Sequence, residues 1–155
     1  MSGVVGSGVS LRFSARLDCV NHVLAEGEQV ADCVEVQVMT MDALVGADVP
    51  ALIKIDVEGH EMAVLRGAER TIADPLLLAV IMETNGSGVR YGIDDAELVS
   101  IMRANGFAAF GYDPFARRLV NLDGAGGNTV FVRDVETVSQ RVATAQRFKL
   151  INGEI

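Results

Sequence analysis

Four side chains that can take a proton or hold a cation are crowded into "IKIDVEGHE" (Ile53 to Glu61): Asp56, Glu58, His60 and Glu61. A carboxylate or neutral imidazole can act as general base on a substrate hydroxyl. The same groups can ligate a metal. Glu83 and Asn85 lie farther along, in "METNGSG", and offer a second acid beside an amide. A structural explanation competes for each residue. Glu58 and Glu61 stand where a helix begins, and an acid there gains roughly 0.3–1 kcal/mol from the helix dipole. His60 reads as a solvated first-turn residue. Asp56 is harder to explain that way, because it ends an apolar run, where burying a carboxylate without partners is costly.

The elements around these residues alternate between strand and helix patterns. "SLRFS" (Ser10 to Ser14) reads as a strand, and "VEVQV" (Val34 to Val38) alternates as a half-buried strand does. Thr40 is placed as the N-cap of a helical turn through "MDALV". "ALIKIDV" is apolar apart from Lys54, as expected for a strand covered on both faces. Met62, Leu65, Ala68 and Ile72 then follow helical spacing up to Asp74-Pro75. "LLLAVIM" (Leu76 to Met82) is the next strand, ending in Glu83.

Asp94 and Glu97 open another helix, with Leu98, Ile101 and Met102 as its apolar stripe. Gly106 and Phe107 form a Schellman-type stop. "FAAFGY", "LVNL" and "TVFVR" supply further strands, and the tail from Asp134 has helical spacing. This order predicts an α/β fold with a largely parallel, mixed sheet and helices on both faces. Acids at neighbouring strand ends would then share the edge where open α/β sheets bind ligands.

Composition narrows the function classes. With 21 acidic against 13 basic residues and a formal net charge of −8, no basic face is expected for nucleic acid or an anionic membrane. No apolar run is long enough to span a bilayer. The two cysteines, Cys19 and Cys33, fit a reducing, cytoplasmic setting better than a disulfide scaffold. "GVVGSG" has neither the order nor the preceding strand of a dinucleotide loop. No H-x-x-x-H or H-E-x-x-H pair, G-x-S-x-G elbow or receiver-domain set is present, and no metal is assigned.

"VEVQVMTMDAL", "LIKIDVEGHEMAVLRGAERTI" and an apolar strand ending in "MET" together resemble the FkbM family of S-adenosylmethionine-dependent methyltransferases. Thr40, Asp42 and Leu44 fit its T-x-D-x-L element, and the resemblance runs from about Ser10 to Arg133. It implies a Rossmann-like class I fold, S-adenosylmethionine as cofactor and O-methyl transfer to a hydroxyl of a small molecule or sugar. It further implies that Asp56 borders the cofactor's methyl, that Glu58 or His60 serves as base, and that Glu83 and Asn85 line the acceptor pocket.

The family's glycine-rich cofactor loop and ribose-binding acid are not matched. The chain is therefore expected to hold only the C-terminal half of the fold, strands four to seven, in residues 1–133, followed by a helical tail over 134–155. That implies a truncated fragment with an exposed sheet edge prone to self-association. The alternative is a non-catalytic remnant serving as a binding or assembly module.

Overall fold

The computed structural model describes residues 9–15, 21–122, 127–151 and 153–154. "GVVGSG", Cys19 and most of the "GAGGN" loop lie outside them. Strand β1 (Val9–Ser14) pairs antiparallel with β2 (Cys33–Val38), Val9 opposite Val38 and Ser14 opposite Cys33. The alternation in "VEVQV" does make a strand, but not a half-buried one. Every residue of β2 is exposed, Val34 at 47%. The two strands form a sheet of their own, separate from the main sheet.

Thr40 caps α1 (Met41–Val45) by accepting the Ala43 N–H at 3.2 Å, and Gly46 ends the turn. Strand β3 (Leu52–Ile55) then buries Ile53 and Ile55 while Leu52 and Lys54 stay exposed. Coverage of both faces, expected from its apolar character, is not found. Strand side chains alternate in direction, and only one face meets a full helical layer.

The single helix expected from Met62 to Ile72 is two, α2 (Glu61–Arg66) and α3 (Glu69–Ala73). All four predicted apolar residues, Met62, Leu65, Ala68 and Ile72, are nevertheless buried. Gly67 closes α2, its N–H bonding Ala63 O at 3.0 Å. Helix α3 starts afresh because Asp42 caps it from outside. Its carboxylate accepts the Arg70 N–H at 2.9 Å, the Thr71 N–H at 2.8 Å and the Thr71 hydroxyl at 2.6 Å. The other end of α3 is held by Arg133, which donates to the carbonyls of Ile72 and Asp74 and stacks 4.4 Å from the Phe107 ring centre.

Strand β4 (Ala79–Glu83) runs parallel to β3, Leu52 opposite Ala79 and Ile55 opposite Met82. It starts later than "LLLAVIM" suggests, since Leu76 is exposed in the turn after Pro75. A 3-10 turn (Ser87–Tyr91) leads to α4 (Asp95–Ala104), capped by Asp94 through the Ala96 N–H at 2.8 Å. The Schellman stop forms as read. Phe107 N–H bonds Met102 O at 3.1 Å and Gly106 N–H bonds Arg103 O at 2.9 Å.

Strands β5 (Ala108–Asp113), β6 (Arg118–Val120) and β7 (Asn128–Val132) complete the main sheet, in the order β3-β4-β7-β5-β6. Strand β7 lies antiparallel to both β4 and β5. The sheet is mixed, with β3–β4 its one directly parallel pair, rather than largely parallel. The difference arises because the chain returns from β6 into the middle of the sheet, where the apolar Phe131 and Val132 are fully buried.

Ile53, Ile55, Val80, Met82 and Phe131 on one face pack against Met62, Leu65, Ile72, Leu98 and Met102 of the helices. The opposite face is met, among the described residues, by α5 (Val135–Thr144), none of whose residues is buried. The tail is not helical throughout, since Ala145 ends α5 and β8 (Lys149–Leu150) pairs with β9 (Gly153–Glu154). Among the described residues, no strand pairs with the outer edge of β3, and the β1–β2 hairpin does not extend the sheet there.

Candidate functional site

Because β3 and β4 are parallel neighbours, both deliver their C-terminal ends to the same edge of the sheet. Asp56 and Glu58 follow β3, and Glu83 ends β4. One carboxylate oxygen from each lies within 4.8 Å of the other two. Crowded carboxylates oppose each other's ionisation. The Glu83 carboxyl is pushed above its ordinary value, first by burial and then by the charges of Asp56, Glu58 and Glu61. Its Oε2 is buried and has no hydrogen-bond partner. Such a group is held protonated more readily than an ordinary carboxyl, or balanced by a cation. The three oxygens are near enough together to share one divalent ion.

Asp56 is not the buried carboxylate its place in the sequence suggested. Its side chain is 41% exposed and pairs with Lys54. The reason lies in the alternation of the strand, which puts residues 54 and 56 on the same, open face. Lys54 is thus a member of the site that motif reading passed over, although its spacing from Asp56 was visible.

The loop between β3 and α2 is fixed by Glu61, only 2% exposed. Its Oε1 accepts the Val57 N–H at 3.3 Å and the Gly59 N–H at 3.2 Å. Glu61 therefore serves the helix start, as one explanation held, but by tying down the loop in front of the helix. Glu58 does not stand in the first turn. It sits two residues before the His60 N-cap with φ 53°, a left-handed conformation costly for a residue with a Cβ. Gly59 follows at φ 96°, and a Cβ there would come within 2.5 Å of the Ser87 carbonyl oxygen. The loops after β3 and β4 thus touch backbone to backbone.

His60 is not a solvated first-turn residue. Its ring meets Tyr91 edge-on, with centroids 5.3 Å apart. Burial lowers its imidazole below the ordinary histidine value, with Glu61 opposing that shift. Tyr91 in turn donates from its hydroxyl to the Val23 carbonyl. Nothing in the spacing of "GVRYG" marked Tyr91 as a neighbour of His60. Asn85, expected in the acceptor pocket, is exposed at the same edge, and its Oδ1 accepts the Ser87 N–H at 2.9 Å. That hydrogen bond shapes the loop after β4.

A cavity of about 430 Å³ opens over this loop. Asp56, Val57, Glu58 and His60 form one side, and Leu11, Phe13, Val23 and Val38 of the hairpin region form the other. Asp56, Glu58 and His60 line this cavity, whereas Glu83, grouped with Asp56 and Glu58 by its carboxylate, and Asn85 are not in its lining. In the T-x-D-x-L element, Thr40 and Asp42 are engaged as helix caps and Leu44 is 67% exposed, while Thr40 and Leu44 line a second cavity, of about 420 Å³, that also borders His60. No helix among the described residues is long and apolar enough to cross a membrane.

The family model described as the methyltransferase FkbM domain matches residues 6–109, about two thirds of the chain. The match takes in β1 through α4, with the strand-end acids, and stops short of β7, so it covers less than the stretch to Arg133 on which the resemblance was drawn. It occupies the N-terminal region of the chain and does not mark the chain as a C-terminal part of the domain. No curated protein and no solved structure matches the chain.

Proposed function

Because this chain belongs to the FkbM methyltransferase family, we propose that its acidic sheet edge serves methyl transfer from S-adenosylmethionine to a hydroxyl of a small molecule or sugar. The observation carrying this reading is the convergence of Asp56, Glu58 and Glu83 at the mouths of two parallel strands, beside a cavity. Methyl transfer to oxygen needs an in-line approach of the oxygen and a group to take its proton.

The residues present fit those needs. Glu58 lines the cavity and has no hydrogen-bond or ion-pair partner among the described residues, which leaves it open to accept a proton from an acceptor hydroxyl. His60, favoured in its neutral form, is a second base at the same wall. Asp56, at the mouth of β3, borders the cofactor's methyl in this reading, with its own charge answered by Lys54. Glu83, held protonated more readily than an ordinary carboxyl, can donate to an acceptor oxygen. Glu61 and the Gly59–Ser87 contact hold these groups in register. Asn85 orders the adjoining loop at the acceptor side.

Calorimetric titration of the full chain with S-adenosylmethionine, followed by transfer of a labelled methyl group to a panel of hydroxylated acceptors, tests the reading. Binding that weakens in Asp56→Asn, with transfer that is lost in Glu58→Gln, is the expected result. Undiminished binding and transfer in both variants would remove these residues from the chemistry. Absence of cofactor binding would favour a non-catalytic binding module.

A further inference from the structure

The cavity over the Asp56–His60 loop has two unlike walls. The hairpin side is mostly hydrocarbon, from Leu11, Phe13, Val23 and Val38, with the amide of Asn21 among them. The loop side carries the carboxylates of Asp56 and Glu58 and the imidazole of His60. No lysine or arginine lines the cavity among the described residues. Lys54 answers the charge of Asp56 from the strand behind it, so Glu58 remains the unbalanced charge on the wall. Burial keeps His60 from supplying a compensating positive charge near neutral pH. An anion entering this space would lose hydration and meet only like charge. A cation would meet Glu58 in a partly desolvated setting, where such pairs are strongest.

We propose that this cavity selects an acceptor carrying a protonated amine next to an apolar body, an amino alcohol in chemical class, and excludes carboxylates and phosphates. The apolar body lies against Leu11, Phe13 and Val38 and the ammonium faces Glu58, so that for such an acceptor His60 is the base that takes the hydroxyl proton. This specificity rests on the reading of the edge as the acceptor side of a methyl-transfer site. Its test needs no methyl transfer, so the two can fail separately.

Three probes share one apolar body: 3-phenylpropylamine, 3-phenylpropan-1-ol and 3-phenylpropanoate. Their affinities for the full chain are measured by ligand-observed magnetic resonance at low ionic strength. The amine should bind about tenfold more tightly than the alcohol, as expected for one charge-assisted contact. The carboxylate should not bind. Glu58→Gln should bring the amine to the level of the alcohol. That variant keeps the shape of the side chain and should melt as the parent does, which thermal unfolding verifies. Saturating S-adenosylmethionine should leave the amine in place. The proposal is overturned if the carboxylate binds as well as the amine, or if no probe binds at millimolar concentration. It is equally overturned if Glu58→Gln leaves the amine preference intact, or if S-adenosylmethionine displaces the amine, which would give the cation site to the cofactor.

Discussion

Replacing Gly59 by alanine should cost more than its backbone angle alone predicts. At φ 96°, a side chain strains the backbone by about 1–2 kcal/mol. The new methyl group would also lie 2.5 Å from Ser87 O, 2.6 Å from Ser87 C and 3.0 Å from Gly88 N. These are backbone atoms at the head of a 3-10 turn, so they cannot swing aside as a flexible side chain would. Forcing them apart costs about 1–3 kcal/mol. Alanine regains about 0.4–1 kcal/mol by restricting the unfolded chain.

The net loss is about 1–4.5 kcal/mol, which lowers the Tm by roughly 2–18 °C in a domain of this size. Gly86→Ala is the internal control. Its φ is 80°, but a Cβ there meets nothing within 4 Å. Calorimetric melting of both variants separates strain from collision. Equal Tm values for Gly59→Ala and Gly86→Ala would refute the claim that the two strand-end loops are locked by contact at Gly59.

Asp42→Ala should destabilise the fold by about 1–3 kcal/mol in urea titrations, since the Thr71 hydroxyl and two amide groups lose their acceptor. Desolvation raises the Asp42 carboxyl, but its hydrogen bonds from Thr71 and from the Arg70 and Thr71 backbone outweigh this and hold it low. That stability is present above the ordinary aspartate pKa and is lost as pH falls through the depressed value, a loss that Asp42→Ala should abolish. His60 works over a higher window. Its depressed folded pKa means the unfolded chain takes up a proton first, so stability should fall as pH drops below about 6.5. A pH series of melts should show that slope reduced in His60→Gln, and an unchanged slope would exclude His60 as its source.

The sequence was most readable where one residue type performs one local task. Thr40, Asp94 and the Gly106–Phe107 pair all act as caps or stops, because capping depends on neighbours a few residues away. The core positions Met62, Leu65, Ala68 and Ile72 were legible for the same reason, since periodicity reports which side faces inward. Other features depended on partners distant in sequence. The break between α2 and α3 rests on Asp42, and the open face of β3 rests on what the rest of the chain leaves uncovered. The insertion of β7 between β4 and β5 is likewise a tertiary outcome. At the candidate site, the meeting of Asp56, Glu58 and Glu83 followed from two adjacent strands ending in acid. The burial assigned to Asp56 did not, because an apolar run does not reveal that one side of it is bare.

Helix α3 has five residues, too few to persist alone in water. Its two ends are finished by residues from opposite arms of the chain, Asp42 before it and Arg133 after it. Its formation is therefore expected to depend on the docking of α1 and on the threading of β7 into the sheet. That makes α3 a late, cooperative element, and its amides should exchange with solvent only through openings that release both arms at once. Its few hydrogen bonds join the timing of the hairpin side of the molecule to that of the central sheet.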